Sequence, residues 1–244
     1  MMEKMLPRYA VTDVKKLDRS FYEQNGIKAV IFDVDGTLYT GGIAKHLILG
    51  DIWRCMWALR ERQTRKAMKS RDYMTADNYY NTFFSTLSQK TGKEESVMRD
   101  WYFNRYMPLM VRQIGKYCKP RPQINEVLES LRQKGIRLLV YSDYTRSKEK
   151  IESLGIDSSV FEKFYCAEEF GALKPQTRPF AQICQENGLE LASTLMVGDK
   201  VDSDGGALAA GLQFTCIDGK NCKDVDRSKY DIVSWDEFVN ICKK

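Results

Sequence analysis

Short apolar runs recur along the chain at 27–33, 136–142, 163–167, 194–198 and 213–217, each bounded by glycine, proline or polar residues. Runs this short, largely apolar, predict strands buried on both faces, as in a parallel sheet. Between them apolar positions return at spacings of three and four, which predicts helices over 123–134, 146–154, 178–187 and 204–210. Strand and helix in alternation imply an α/β fold, a Rossmann-like, doubly wound parallel sheet covered on both faces. Two further helices are predicted at the ends. One spans 11–25, with Val14, Leu17 and Phe21 on one side and Gly26 behind it; the other spans Ser234 to Lys244.

The alternation stops between the first strand and the second. Residues 41–117 hold no strand-like run, only helical pattern over 43–69, 75–90 and 94–116. An insertion of roughly eighty residues is too long for a crossover helix. It predicts an all-helical module at 41–117, set into a core made of 1–40 and 118–244, with Pro120 and Pro122 marking the return. Its composition is uneven: Arg54, Arg60, Arg62, Arg65, Lys66, Lys69 and Arg71 face the single acid Glu61 in one stretch. Aromatics from Trp53 to Tyr106 are dense as well. Two readings stay open, an anion-attracting, aromatic-lined roof over a phosphorylated substrate or a helical bundle core with a solvated basic face. For any single residue the second is favoured.

Bulk composition narrows the chemistry. A hydrophobic share of 43% in 244 residues supports a real core. No apolar stretch reaches the roughly 18 residues of a membrane span, and Met1 to Ala10 lacks the apolar centre of a secretory signal. A cytoplasmic protein, monomer or homodimer, is expected, with no membrane partner. Seven cysteines without a Cys-x-x-Cys pair make neither a disulfide framework nor a zinc pattern; they read as small buried hydrophobes. His46 is the single histidine, and its neighbours Lys45 and Leu47 suggest no partner for a nucleophilic triad. The chemistry must then run on carboxylates. A net charge of +5 is modest and no binding motif is present, which argues against nucleic acid as a partner.

Four segments carry candidate chemistry. The first strand ends in Asp33-Val34-Asp35-Gly36-Thr37, two acids at the sheet edge where open α/β folds place ligands. Asp is almost never buried unless paired or metal-bound. The second strand ends in Ser142-Asp143, where a hydroxyl and backbone N–H groups can hold phosphate oxygens, although Ser is also a common helix cap. Lys174 precedes Pro175, which favours an extended backbone and lets a compact positive charge point into a site. A further strand breaks into Gly198-Asp199-Lys200-Val201-Asp202-Ser203-Asp204. Acids this close need a cation or solvent between them. Oxygen ligands at a strand end suit magnesium, and the spacing lacks the pattern of a calcium loop.

Taken together these segments resemble the haloacid dehalogenase superfamily, in its phosphatase branch. Asp33-Val34-Asp35-Gly36-Thr37 looks like that family's first motif, Ser142 its second, Lys174 its third, and Gly198-Asp199 with Asp204 its fourth, Asp202 being a less certain acidic neighbour. The resemblance implies a helical cap at the insertion and a phosphatase acting on a small phosphate ester through an aspartyl-phosphate. Asp33 would be the nucleophile and Asp35 the acid and base. Mg2+ would be held by Asp33, Asp35 (through its backbone carbonyl) and Asp199, with Asp204 orienting bound water. Lys174, Ser142, Asp143, Gly36 and Thr37 would steady the phosphoryl group. Halide-removing members lack an acid at the place of Asp35, which points this chain to phosphorus. A phosphomutase on the same core, a nucleotide phosphatase and, in a different class, a non-catalytic phosphate-binding protein stay open.

Overall fold

The computed structural model describes residues 26–222 and 225–243; the helix expected over 11–25 lies outside them. In chain order the strands are β1 (Ala29–Phe32), β2 (Tyr39–Thr40), β3 (Lys119–Pro120), β4 (Arg137–Ser142), β5 (Lys163–Cys166), β6 (Thr194–Gly198), β7 (Gln213–Ile217) and β8 (Asp231–Val233). Six form one sheet in the order β5-β4-β1-β6-β7-β8, and every adjacent pair is parallel. The chain runs outward from β1 on one side, then returns to its other side at β6. The reversal of direction opens a crevice at the carboxyl ends of β1, β4 and β6.

Register shows that both faces are covered. Phe32 lies beside Val140, so Tyr141, the next residue along β4, points to the opposite face. Phe32 meets Phe161 and Phe238 edge-on, the latter from the C-terminal helix Trp235–Lys243. Tyr141 meets Phe180, from the helix Thr177–Glu186. The ladder of β1 continues one step beyond the strand, with Asp33 N donating to Val197 O at 2.9 Å. Asp33 is thereby held at the mouth of the crevice.

The long interruption is helical: α1 (Ala44–Gly50), α2 (Cys55–Met68), α3 (Ala76–Thr91), α4 (Glu95–Trp101) and α5 (Met107–Tyr117). Its two ends are tied by the antiparallel pair β2–β3, Tyr39 opposite Pro120 and Thr40 opposite Lys119. Local chemistry sets the helix limits. Thr75 accepts from Asn78 N at 3.2 Å ahead of α3, the usual cap for an orphan N–H, and Gly92 ends it at φ +67°. The aromatics fill the interior of this bundle. Tyr79 stacks on Phe83, and Phe83, Phe84 and Tyr102 meet edge to face. All four are fully buried, each Phe contributing about 1.5–3 kcal/mol by leaving water.

Three features differ from the sequence pattern. The expected helix over 43–69 is interrupted by a tighter 3₁₀ turn at Ile52–Arg54, and a π-helical turn, Tyr102–Tyr106, interrupts 94–116. β8 has only three residues and begins with an acid, too little pattern to read as a strand. Asp231 is accommodated there by accepting from Thr215 Oγ1 at 2.6 Å. Among the described residues no helix is long and apolar enough to cross a membrane.

Candidate active site

The two acids at the end of β1 sit in different surroundings. Asp33 is 5% exposed; Lys174 Nζ donates to its Oδ1 at 2.6 Å and Thr37 Oγ1 to its Oδ2 at 3.0 Å. Burial pushes the Asp33 carboxyl above its usual range, opposed by Lys174 and reinforced by Asp204. The Asp35 side chain turns instead to Lys150, whose Nζ lies 2.8 and 3.1 Å from its two oxygens, and to the Tyr39 hydroxyl, which donates to Oδ1. Burial works against its charge as well, yet Lys150 and Tyr39 outweigh burial and hold Asp35 below the ordinary carboxylate range. Neighbouring acids of one loop are thus set to opposite sides of the normal value.

The end of β6 supplies the counterpart. Asp204 accepts from Lys174 Nζ at 2.6 Å and from Lys200 N at 3.1 Å. Lys174 therefore bridges Asp33 and Asp204. Burial alone would lower its pKa, but the two carboxylates raise it well above the usual value. Asp199 accepts from Asn221 Nδ2 at 2.6 Å and Lys200 Nζ at 3.1 Å; burial raises its pKa and the charge of Asp33 adds to that. Two glycines make the approach possible. A Cβ on Gly36, at φ +103°, would lie 2.3 Å from Asp199 Oδ2, and one on Gly198 would lie 2.3 Å from Asp204 Oδ2.

Above these groups opens a cavity of about 410 Å³ lined by Asp33, Asp35, Asp143, Tyr144, Lys174, Lys200, Asp202, Ser203 and Asp204 from the sheet side and by Arg62, Arg65, Lys66 and Lys69 from α2 and its end. Of the residues singled out in the sequence, Asp33, Asp35, Asp143, Lys174 and Asp204 reach the cavity, and Asp202 stands exposed at its rim. Thr37 and Ser142 are fully buried. Thr37 orients Asp33, and Ser142 Oγ accepts from Tyr144 N at 3.3 Å. Asp143 accepts from Lys174 N and Lys69 Nζ, both at 3.0 Å. The single histidine stacks on Tyr117 within the helical segment. None of the rings from Trp53 to Tyr106 lines the cavity: Tyr79, Phe83, Phe84 and Tyr102 are bundle core, Trp53 stands exposed on the surface, and Tyr144, which does line the cavity, comes from the loop after β4.

Lys150, Tyr39 and Lys200 are missing from the sequence-derived set. Lys150 lies in a short helix, Ser147–Glu152, among other charged residues, and only its complete burial sets it apart. Tyr39 reads as the last apolar residue of a turn. Lys200 follows an acid already chosen, so its position was the available signal. Glu168 was equally hidden: fully buried, it accepts from Tyr102 OH at 2.5 Å and Tyr80 OH at 2.8 Å and pairs with Arg65. Arg65 also donates to Glu61 at 2.9 Å and to Asp143 O at 3.1 Å. Glu168 thus joins the helical segment to the sheet side. Nearby, Tyr73 N donates to Gly171 O at 2.8 Å, and a Cβ on Gly171 would lie 2.2 Å from Thr75 O.

The donors fit a divalent cation. Asp33, Asp199 and Asp204 each offer one carboxylate oxygen, all within 4.8 Å of one another, and an all-oxygen set suits magnesium. Lys200 Nζ, 3.1 Å from Asp199 Oδ1 and 3.4 Å from the backbone carbonyl of Asp35, already sets a positive charge against two of the oxygens that would ligate a metal.

Comparison with known proteins gives the chain a family and relatives. A family model for haloacid dehalogenase-like hydrolases matches residues 27–211. The chain is 28% identical to a glyceraldehyde 3-phosphate phosphatase of Methanocaldococcus jannaschii, over 89% of this chain and 97% of that protein. It is also 28% identical to a phosphoglycolate phosphatase of Aquifex aeolicus, over 73% and 78%. Among solved structures, a 2-haloacid dehalogenase from Pseudomonas syringae superposes with a TM-score of 0.58 at 20% identity, covering 85% of this chain and 94% of that one. A phosphatase from Thermococcus onnurineus gives 0.55 at 21% identity, covering 88% and 97%. The two structures share the fold and differ in the reaction named for them, so the choice between reactions rests on the side chains.

Proposed function

The chain belongs to the haloacid dehalogenase-like hydrolases, and from that premise we propose that it is a magnesium-dependent phosphatase acting on a small phosphate monoester, with residues 41–117 as a cap over a core of 1–40 and 118–244. The observation that carries this reading is the division of labour at the end of β1. Asp33 is held by Lys174 and Thr37, and Asp35 is held apart from it by Lys150 and Tyr39. Displacement at phosphorus with an alcohol leaving group needs a second, proton-carrying acid beside the nucleophile, and Asp35 is that group.

In the first half-reaction an Asp33 oxygen attacks phosphorus, the bond from phosphorus to the ester oxygen breaks, and Asp35 gives the departing oxygen its proton. In the second, water attacks phosphorus while Asp35 takes its proton, and the bond to Asp33 breaks to release inorganic phosphate. Lys150 and Tyr39 keep Asp35 ionised at rest, the form the second half requires; the negative charge of an arriving phosphoryl group raises its proton affinity for the first. Lys174 holds Asp33 and Asp204 in fixed relation, so the attacking oxygen does not swing towards Asp199. Asp33, Asp199 and the Asp35 carbonyl would hold Mg2+, with Asp204 beside them; when bound it neutralises phosphoryl charge that the acidic floor would otherwise repel.

Phosphate release from sugar phosphates, nucleotides and an aryl phosphate, with magnesium or with chelator, tests the reading. Turnover that needs magnesium and falls by more than about 10³-fold in Asp33→Asn is the expected result. Undiminished turnover by Asp33→Asn would remove Asp33 as the nucleophile, and no turnover of any ester by the intact protein would overturn the phosphatase assignment.

A further inference from the structure

The lining of the cavity sorts its cations into two groups. Lys174 is paired with Asp33 and Asp204, Lys200 with Asp199, Lys69 with Asp143, and Arg65 with Glu61 and Glu168. Arg62 and Lys66 line the same cavity and have no hydrogen bond or ion pair among the described residues. They stand four residues apart on α2, so their side chains emerge one above the other on a single face. The adjacent row of that face, Arg65 and Lys69, is already engaged. Asp202 is the acid of the lining without a basic partner, so the unpaired charge remains positive in balance and is concentrated on the helix.

Resting on the phosphatase reading above, we infer that Arg62 and Lys66 form a second anion subsite, and that the substrate is a phosphate monoester carrying another anionic group, a carboxylate or a second phosphoryl. Three points support it. The floor already holds the groups that would engage the reacting phosphoryl: Lys174 and, with metal bound, a divalent cation. Two guanidinium or ammonium groups more than that task needs are positioned at the other wall. Arg62 and Lys66 are exposed yet line the cavity, so an anion bound on the floor lies within reach of two charges that no protein acid already engages. The volume of about 410 Å³ exceeds what a phosphoryl group alone fills, leaving room for a second charged end. Arg60, a half-buried basic residue of the same helix that does not line the cavity, instead bonds Gln63 at 3.1 Å.

Binding to the Asp33→Asn protein in magnesium reads the subsite without requiring turnover. Glycerol 3-phosphate supplies the single anion, 3-phosphoglycerate adds a carboxylate, and fructose 1,6-bisphosphate adds a phosphoryl. At least one doubly anionic ester should bind about tenfold or more tightly than glycerol 3-phosphate, and whichever does so identifies the second group. Arg62→Gln with Lys66→Gln should bring that ratio close to one, and the charge-preserving pair Arg62→Lys with Lys66→Arg should restore most of it. A ratio near one in the parent protein, or a preference that survives the double glutamine change, overturns the inference. The phosphatase reading is judged separately by phosphate release, so a protein that turns over esters without this preference refutes only the subsite.

Discussion

The floor and the roof of the cavity are built on different physical terms. On the floor, acids and cations are matched, and the central ones are buried: Lys174 between Asp33 and Asp204, Lys150 on the half-buried Asp35, and the more exposed Lys200 and Asn221 on Asp199. The acids are carried by strand ends or the loops directly behind them, while Lys150 reaches in from the short helix Ser147–Glu152, and its pairing lowers the Asp35 pKa. The roof is one helix with two rows of basic residues, one row clamped to the sheet side through Arg65 and Lys69, the other exposed and unpaired at Arg62 and Lys66. Preorganised charge that costs nothing to rearrange suits the reacting centre. Charge left unpaired suits recognition, because it has an affinity still to satisfy. The difference teaches that chemistry and specificity are divided here between sheet and helix.

Arg65 tests the clamp most severely. Replacing it by Met leaves Glu61 and Glu168 buried with no guanidinium between them, and a loss of about 3–5 kcal/mol in unfolding free energy is expected, measured by urea denaturation. Adding Glu168→Gln to that background should recover part of the loss. If Arg65→Met is neutral, the roof is not held by this pair and its separation from the floor in kind disappears.

Lys200 tests whether floor cations and metal compete. Lys200→Met removes a charge placed against Asp199 and the Asp35 carbonyl, and should tighten magnesium binding roughly fivefold, the worth of a partly exposed pair, read by calorimetric titration. Weaker binding would instead make Lys200 a supporter of the metal site.

The smallest effect belongs to the outer seam, where Arg178 donates to Asp72 at 2.7 and 2.8 Å. That hydrogen bond, against a smaller opposing contribution from burial, lowers the Asp72 pKa. A carboxylate lowered on folding contributes stability above its unfolded pKa and loses it as pH falls through the folded value. Asp72→Asn should therefore cost about 0.2–1 kcal/mol at neutral pH, and the gap to the parent should close in acid. A gap that persists there would show that shape, not charge, makes the seam.

Legibility followed the same division. Asp33, Asp35, Asp199 and Asp204 were visible because buried strands leave clean apolar runs, and polar residues that break them stand out. The parallel sheet was visible for the same reason, apart from β8, whose three residues and leading acid carry no period. Lys174, well beyond the end of β5, was visible only from its place before Pro175 and from the company of the other three segments. Lys150 and Glu168 were not, since what distinguishes them is burial, and burial of a charged residue depends on a partner distant in sequence: Asp35 for the first, Arg65 for the second. Thr37 and Ser142 were found as well, and in the structure Thr37 donates to Asp33 while Ser142 Oγ accepts from Tyr144 N. The basic stretch of α2 was noticed; which of its members face the cavity depends on how the helix is rotated against the sheet, which composition does not encode.

Gly171 ties the two regions together in a way that bears on how such proteins change over generations. It stands three residues before Lys174, and its bare Cα is the ledge on which the backbone at Tyr73 and Thr75 rests. A foreign helical insertion grafted at β2 and β3 would land on a ledge cut for another contour, and the loop carrying the bridging ammonium would lose its seat. An insertion of another shape keeps that seat only where segment 171–174 changes to match it. Recognition and catalysis are then inherited as one block, although they are built from separate parts.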